Sequence, residues 1–265
     1  MTETAASFFS PAPGASRLAT LLRPAVMDQS LPGLFWLGGF RSDMRGSKAE
    51  FLDSLAERQG RACLRFDYSG HGESEGDFAD GTIGLWAAQA LAVFRALTEG
   101  PQIVIGSSMG GWIALLLARA LAQAGEADRL AGMVLIAPAV DFTEDLIWTQ
   151  LPEKVRQTIL AQGAWMRPAD AYGEAFPFTR ALFEDGRAQC LFGGEIRTHC
   201  PTTILQGMAD PDVPWRHAMR LMESLASDPA TITLIKDGDH RLSRPQDLAA
   251  LAKAIDLVDG QRKGA

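Results

Sequence analysis

The chain has 265 residues, 47% of them hydrophobic, and a formal net charge of −7 at pH 7, a size and apolar share that predict one compact domain around a single core. Its 25 Lys and Arg form no basic cluster, which excludes a phosphate-tracking surface for nucleic acid. The longest apolar run, Trp112 to Ala118, stops at Arg119, far short of the roughly 20 residues a membrane span needs, so a small-molecule or acylated substrate is the expected partner.

Met1 to Gly14 carry Glu3 and no basic n-region, so residues 1–16 are expected as a mobile tail without a leader, and 17–265 as the domain. Arg17 to Val26 can supply antiparallel strands, with Pro24 restricting them to an edge. From Leu34 onward short apolar runs alternate with helical patterns. The runs are Leu34 to Leu37, Ala62 to Phe66, Gln102 to Ile105, Met133 to Ile136, Thr203 to Leu205 and Thr231 to Ile235, each read as a central strand. The helices are Lys48 to Arg58, Ile83 to Leu97, Met109 to Ala124, Trp215 to Leu225 and Pro245 to Val258. This rhythm specifies an α/β fold, a mainly parallel sheet with helices on both faces.

Between Ala139 and Pro201 about sixty residues of helical fragments replace an ordinary crossover, too long for a plain connection. This segment is expected to be a small inserted cap. Phe142, Leu146, Ile147, Trp148, Trp165, Met166, Phe176 and Phe178 lie in it, and any of them either walls a pocket or cements the insert to the body. Trp148 and Trp165 are the expected substrate contacts.

Chemistry concentrates where strands end. Gly106-Ser107-Ser108-Met109-Gly110 follows one strand and opens a helix, the context of a nucleophile elbow, in which the glycines admit a strained turn that lifts Ser108 above the sheet. Gly207-Met208-Ala209-Asp210 and Gly238-Asp239-His240 follow two later strands, giving the order Ser, Asp, His of an acyl-transfer triad. Serine is a weak nucleophile at its own pKa, so His240 is read as its base and Asp210 as the group that fixes the imidazole tautomer. Asp212, Asp237 and Asp239 compete for the last role; Asp210 is favoured because Asp212 is enclosed by Pro211 and Val213-Pro214.

The oxyanion of such a reaction needs backbone donors. The Met109 amide at a helix N-terminus is the first candidate, and the Phe40 amide, after Leu37-Gly38-Gly39, the second. Arg41 and Arg45 flank that loop and are either carboxylate-binding cations or solvated loop residues. The Asp67 to Ser74 turn lacks the Lys and spacing of a phosphate loop, and His71 within it is read as structural, shaping the floor beneath the oxyanion loop. Cys63, Cys190 and Cys200 show no CxxC spacing, which fits a reducing cytoplasmic compartment. His199 beside Cys200 lacks a second ligand pair, so no metal is expected.

Arg65 to Gly70, Gly100-Pro101-Gln102, Gly106 to Trp112, Gly207 to Trp215 and Asp239-His240-Arg241 resemble the α/β-hydrolase-domain family, and within it the palmitoyl-protein thioesterase and acyl-glucuronide esterase branch with its bacterial relatives. The likeness runs from about Leu34 onward. It implies the α/β-hydrolase fold, Ser108, Asp210 and His240 as the triad, no cofactor, and a fatty-acyl thioester or acyl ester as substrate. Two departures stand out: no targeting segment is expected at the N-terminus, and Arg41 and Arg45 make the oxyanion loop more basic. The same triad also serves acyltransferases, and a hydrolase scaffold can act as a non-catalytic ligand receptor. Dehalogenase or epoxide-hydrolase chemistry would need an Asp where Ser108 stands.

Overall fold

The computed structural model describes residues 5–26, 31–169, 174–226 and 228–262. Its body is an eight-stranded sheet built from β1 (Ser7–Phe9), β2 (Leu18–Arg23), β3 (Gly33–Leu37), β4 (Cys63–Phe66), β5 (Gln102–Ser107), β6 (Leu130–Ile136), β9 (Thr202–Gly207) and β10 (Ala230–Ile235), in the order β1-β2-β4-β3-β5-β6-β9-β10. The strands from β4 to β10 along that order pair in parallel, and β1 and β2 are antiparallel.

Side-chain alternation explains why these strands read as unbroken apolar runs: both faces are buried. On one face Phe35, Leu37, Phe66, Val104, Met133 and Ile204 pack against Trp86, Val93 and Phe94 of α2 (Ile83–Leu97) and against α3 (Met109–Gln123). On the other, Leu34, Trp36, Ile103, Ile105, Val134 and Leu205 pack against α1 (Ser47–Gln59) and the helix Pro245–Arg262. The sixth parallel strand departs from expectation. β10 forms the sheet's far edge rather than a central position, with Leu234 exposed.

Two other expectations are corrected. Residues 1–4 of the expected mobile tail lie outside the described residues, but Ser7–Phe9 is an ordered strand, with Ser7, Phe8 and Phe9 opposite Thr20, Ala19 and Leu18. β2 is consequently covered on its outer side by β1, and Pro24 follows its last residue instead of marking it as the edge.

The segment joining β6 to β9 carries a π-helical turn at Thr143–Ile147, α4 (Glu153–Gln162), the antiparallel pair β7 (Ala164–Arg167) and β8 (Phe176–Thr179), and α5 (Arg180–Ala188); residues 170–173 lie outside the described ones. The strand pair was not anticipated. Asp141 closes the base of this segment by accepting the amides of Leu191 and Phe192, both at 2.8 Å. Asp185 of α5 docks it on the body by accepting the Gly84 amide, at 2.6 Å, at the start of α2, where a carboxylate also meets the positive end of the helix dipole.

Candidate active site

The tight strand-to-helix turn after β5 sets the site. Ser108 sits at φ 56° and ψ −119°, in the left-handed half of backbone space, a conformation costly for a residue with a Cβ and held only where surroundings over-determine it. Here they do: the Ser108 amide donates to the Ile136 carbonyl at 2.9 Å, and its carbonyl accepts from Gly111 at 2.9 Å and Ala139 at 3.1 Å. The flanking glycines are required by close approach. A Cβ on Gly106 would lie 2.3 Å from the Gly110 carbonyl oxygen, and one on Gly110 would lie 2.0 Å from the Leu37 carbonyl oxygen. Strand, helix and the neighbouring β3 end therefore pack backbone to backbone, and Ser108 alone is left half-buried among buried neighbours.

Above that turn the structure brings three predicted side chains together. The Ser108 hydroxyl lies 3.0 Å from His240 Nε2, and His240 Nδ1 lies 2.8 Å from Asp210 Oδ2. A carboxylate oxygen only accepts, so Nδ1 carries the hydrogen and Nε2 presents its lone pair to the serine hydroxyl. The Asp210 side chain is fully buried and His240 is 23% exposed. Asp210 is oriented by four donors: the amides of Asp212 and Val213 on Oδ1, at 2.8 and 2.9 Å, and Gln206 Nε2 and His240 on Oδ2. Gln206 also donates to the Gly207 and Val213 carbonyls, each at 3.0 Å. Sequence reading passed over Gln206; its signal is a long polar side chain ending the otherwise apolar Ile204-Leu205 run, four residues before the candidate acid.

The candidate oxyanion donors stand where two loops meet. Met109 is the first residue of α3, so its amide has no acceptor within the helix. A Cβ on Gly39 would come within 3.4 Å of Ser108 Cβ, which puts the turn carrying Phe40 against the serine. That turn is closed by Ser42, whose amide and hydroxyl both donate to the Gly39 carbonyl, at 3.1 and 2.9 Å. The Phe40 ring does more than expected: it contacts Phe78 and Trp86 of the body and Phe142, Phe176 and Phe178 of the insert.

Other predicted contacts scatter. Arg45 pairs with Glu73. Arg41 stands over the Phe176 ring at 4.2 Å, donates to the Glu174 carbonyl, and lines a cleft of about 360 Å³ with Asp43, His71 and Phe78. Trp148 packs on Phe183 and Trp165 stacks on Phe178, both within the insert. Met166, expected either to wall a pocket or to cement the insert to the body, is 57% exposed. Among the described residues, the His and carboxylate groups near enough to share a metal ion are Asp210, Asp212 and His240, and the inner oxygens of that set are already engaged by the hydrogen bonds above.

The Asp67 to Ser74 turn, bonded to Met44 just after the loop of Phe40, carries a buried polar platform. Asp67 accepts the Met44 amide at 2.7 Å and the Glu73 amide at 2.9 Å, and burial pushes its carboxyl up to about 6. His71 lies among Tyr68, Phe78 and Trp86, with Nδ1 3.2 Å from the Ser69 carbonyl, and burial lowers its pKa from 6.5 to about 4. From pH 6.5 down to 4 the unfolded chain takes up a proton that the folded imidazole refuses, so folded stability falls with pH through that window. The wild type is expected to lose about 3 kcal/mol relative to His71→Phe between pH 7.5 and pH 4, measured by urea unfolding at each pH. Asp67 acts in the opposite direction in both proteins, so the comparison cancels it.

A parallel sheet edged by two antiparallel strands, with an elbow serine after β5, a carboxylate after β9 and a histidine after β10, is the architecture of an α/β-type hydrolase. The chain belongs to the alpha/beta hydrolase family, whose model matches residues 30–251. It is 33% identical over 230 residues, 86% of this chain and 73% of the relative, to the mitochondrial palmitoyl-protein thioesterase ABHD10 of Homo sapiens. Among solved structures, a protein of Agrobacterium vitis S4 regarded as a hydrolase superposes with a TM-score of 0.89 at 48% identity, over 97% of this chain and 98% of that one. Mouse alpha/beta hydrolase domain-containing protein 10 gives 0.85 at 30% identity, over 97% and 100%. Among the described residues no helix is long and apolar enough to cross a membrane.

Proposed function

We propose that this chain is a serine hydrolase that cleaves an acyl thioester or carboxylic ester through an acyl-enzyme on Ser108. The observation that carries the reading is the unbroken hydrogen-bond relay from the Ser108 hydroxyl through His240 to buried Asp210. Ser108 Oγ attacks the acyl carbonyl as its proton passes to His240 Nε2, and Asp210 stabilises the imidazolium. The developing oxyanion meets the Met109 and Phe40 amides. Collapse of the tetrahedral adduct breaks the bond to the leaving thiol or alcohol, which receives the proton from His240, and water then repeats the sequence to release the acid.

An apolar acyl group suits the aromatic side chains that the 139–201 insert, read as a cap, presents around Phe40. The name of the ABHD10 relatives, palmitoyl-protein thioesterase, points the same way. Three unpaired cysteines suit a reducing compartment, for which we propose the cytosol; the human relative is named as mitochondrial.

The test is turnover of a chain-length series of acyl thioesters and matched oxygen esters, with fluorophosphonate labelling located by peptide mass spectrometry. Label on Ser108 with turnover of the series is the expected result. A folded protein that binds the compounds without labelling or turnover would place it with ligand-binding scaffolds instead.

A further inference from the structure

The loop that carries His240 is anchored by buried Leu242, which packs in the core cluster shared with α1. It follows β10, the exposed edge strand, and it bends through Leu242 at φ 44°, a left-handed turn that needs outside restraint. On the sheet side the Gly238 carbonyl accepts the Ala209 amide at 3.0 Å. Within the loop Asp239 accepts the Leu242 amide at 2.9 Å, and Arg244 bridges Asp237 and Asp247. None of these bonds reaches the opposite wall of the site.

Beyond the contacts of His240 itself with Ser108 and Asp210, Lys48 does. Lys48, half-buried in the first turn of α1, donates its ammonium to the Arg241 carbonyl, the residue next to His240, and lies 3.4 Å from the Ser243 hydroxyl, which donates to that same carbonyl at 3.0 Å. α1 begins just after the loop of Phe40, Ser42 and Met44. A bond from Lys48 to Arg241 therefore spans 193 residues of sequence and ties the base loop to the segment holding the second oxyanion amide. Sequence gives no hint of it: Lys48 reads as a solvated residue on an amphipathic helix.

We propose that Lys48 is a positioning residue, whose donation to the Arg241 carbonyl fixes the loop of His240 relative to Ser108 and the Phe40 amide. The inference rests on the triad reading given above. An ammonium suits the role because it donates several hydrogen bonds from one point, and Asp239 and Asp247 lie near enough to favour its charge while Arg241 opposes it. Burial outweighs the two carboxylates and lowers the Lys48 pKa to about 8. The charged form that makes the strongest bond is thus lost as pH rises through about 8, and the loop loosens there.

The test compares wild type with Lys48→Met, Lys48→Gln and Lys48→Arg, measuring second-order fluorophosphonate labelling and kcat and KM on a short-chain ester from pH 6 to 10. Melting curves confirm the fold of each variant. In the wild type, labelling and kcat are expected to fall above pH 8. Lys48→Met is expected to cost about 10- to 100-fold in labelling and kcat, with KM little changed, since displacements near 1 Å in a reacting constellation cost about that much. Its profile lacks the alkaline fall. Lys48→Gln, a neutral donor, regains part of the rate with no alkaline fall, and Lys48→Arg regains it with the fall moved beyond pH 10. Lys48→Met, or Lys48→Gln should the former not fold, matching the wild type in rate and pH profile overturns the inference alone. A wild type that labels nowhere near Ser108 overturns the triad reading and the inference together.

Discussion

Ser108→Ala is expected to abolish fluorophosphonate labelling and to lower kcat/KM by about 10⁴- to 10⁶-fold, the cost of deleting the nucleophile from a coupled triad. The loss should be chemical and not structural. The turn that holds residue 108 is fixed by the Ile136, Gly111 and Ala139 backbone bonds and by the Gly106 and Gly110 approaches, none of which involves the hydroxyl. Alanine bears the same backbone strain as serine at φ 56°, so the melting temperature should stay within a few degrees. Removing Oγ frees Nε2 of His240 but leaves its Nδ1 bond to Asp210 intact. Ligand affinity should therefore survive, and the variant should bind the non-hydrolysable acid product or a substrate amide as the wild type does. A Ser108→Ala variant that still hydrolysed esters at more than about a hundredth of the wild-type rate would move the nucleophile elsewhere, because the amides alone supply only the residual catalysis left when a triad is gone.

The interior of the sheet was legible because burial on both faces turns each parallel strand into a run such as Leu34 to Leu37. Edges were not. Thr231 to Ile235 carries the same β-branched residues as a central strand, and its pattern does not announce that the neighbours Thr233 and Leu234 are both exposed. Ser7 to Phe9 is a strand only because β2 offers its backbone, and three residues between an uninformative start and Pro11 carry no periodicity of their own. The β7–β8 pair was hidden for the same reason, since Ala164 to Arg167 and Phe176 to Thr179 have partners set by the insert's packing.

The candidate site divides along the same line. Ser108, Asp210 and His240 were legible because each follows a strand end, where turn residues announce themselves. The surrounding groups depend on long-range contacts. Arg41 and Arg45 look alike in sequence, yet Glu73 neutralises one and the Phe176 ring takes the other. Phe40 was read for its amide alone, whereas its ring joins the turn that carries it to three insert aromatics. Lys48 and Gln206 act through partners that no local pattern names.

Asp210→Asn should cost about 10⁴-fold in kcat with little change in KM, the scale seen when a triad carboxylate becomes an amide, and the hydrogen bonds around Asp210 say why. Oδ1 accepts the amides of Asp212 and Val213, so an asparagine must keep its carbonyl oxygen there and turn its NH₂ toward His240 and Gln206. The NH₂ cannot accept from Nδ1; it drives the imidazole to the tautomer with hydrogen on Nε2, pointing a proton at Ser108 where a lone pair is needed. The same NH₂ faces the Gln206 NH₂. Rotating the Gln206 amide would offer its oxygen, which is buried and without a hydrogen-bond partner, but would take the donor from the Gly207 and Val213 carbonyls. Either arrangement leaves a buried polar group unpaired, so the variant should also lose about 1–3 kcal/mol of stability. Asp212→Asn is the control: Asp212 is exposed and should change kcat by less than tenfold. Kinetics and urea unfolding of the two variants separate the cases, for an active Asp210→Asn beside an inactive Asp212→Asn would transfer the acid's role to Asp212, whose carboxylate is near enough to the same imidazole to take it.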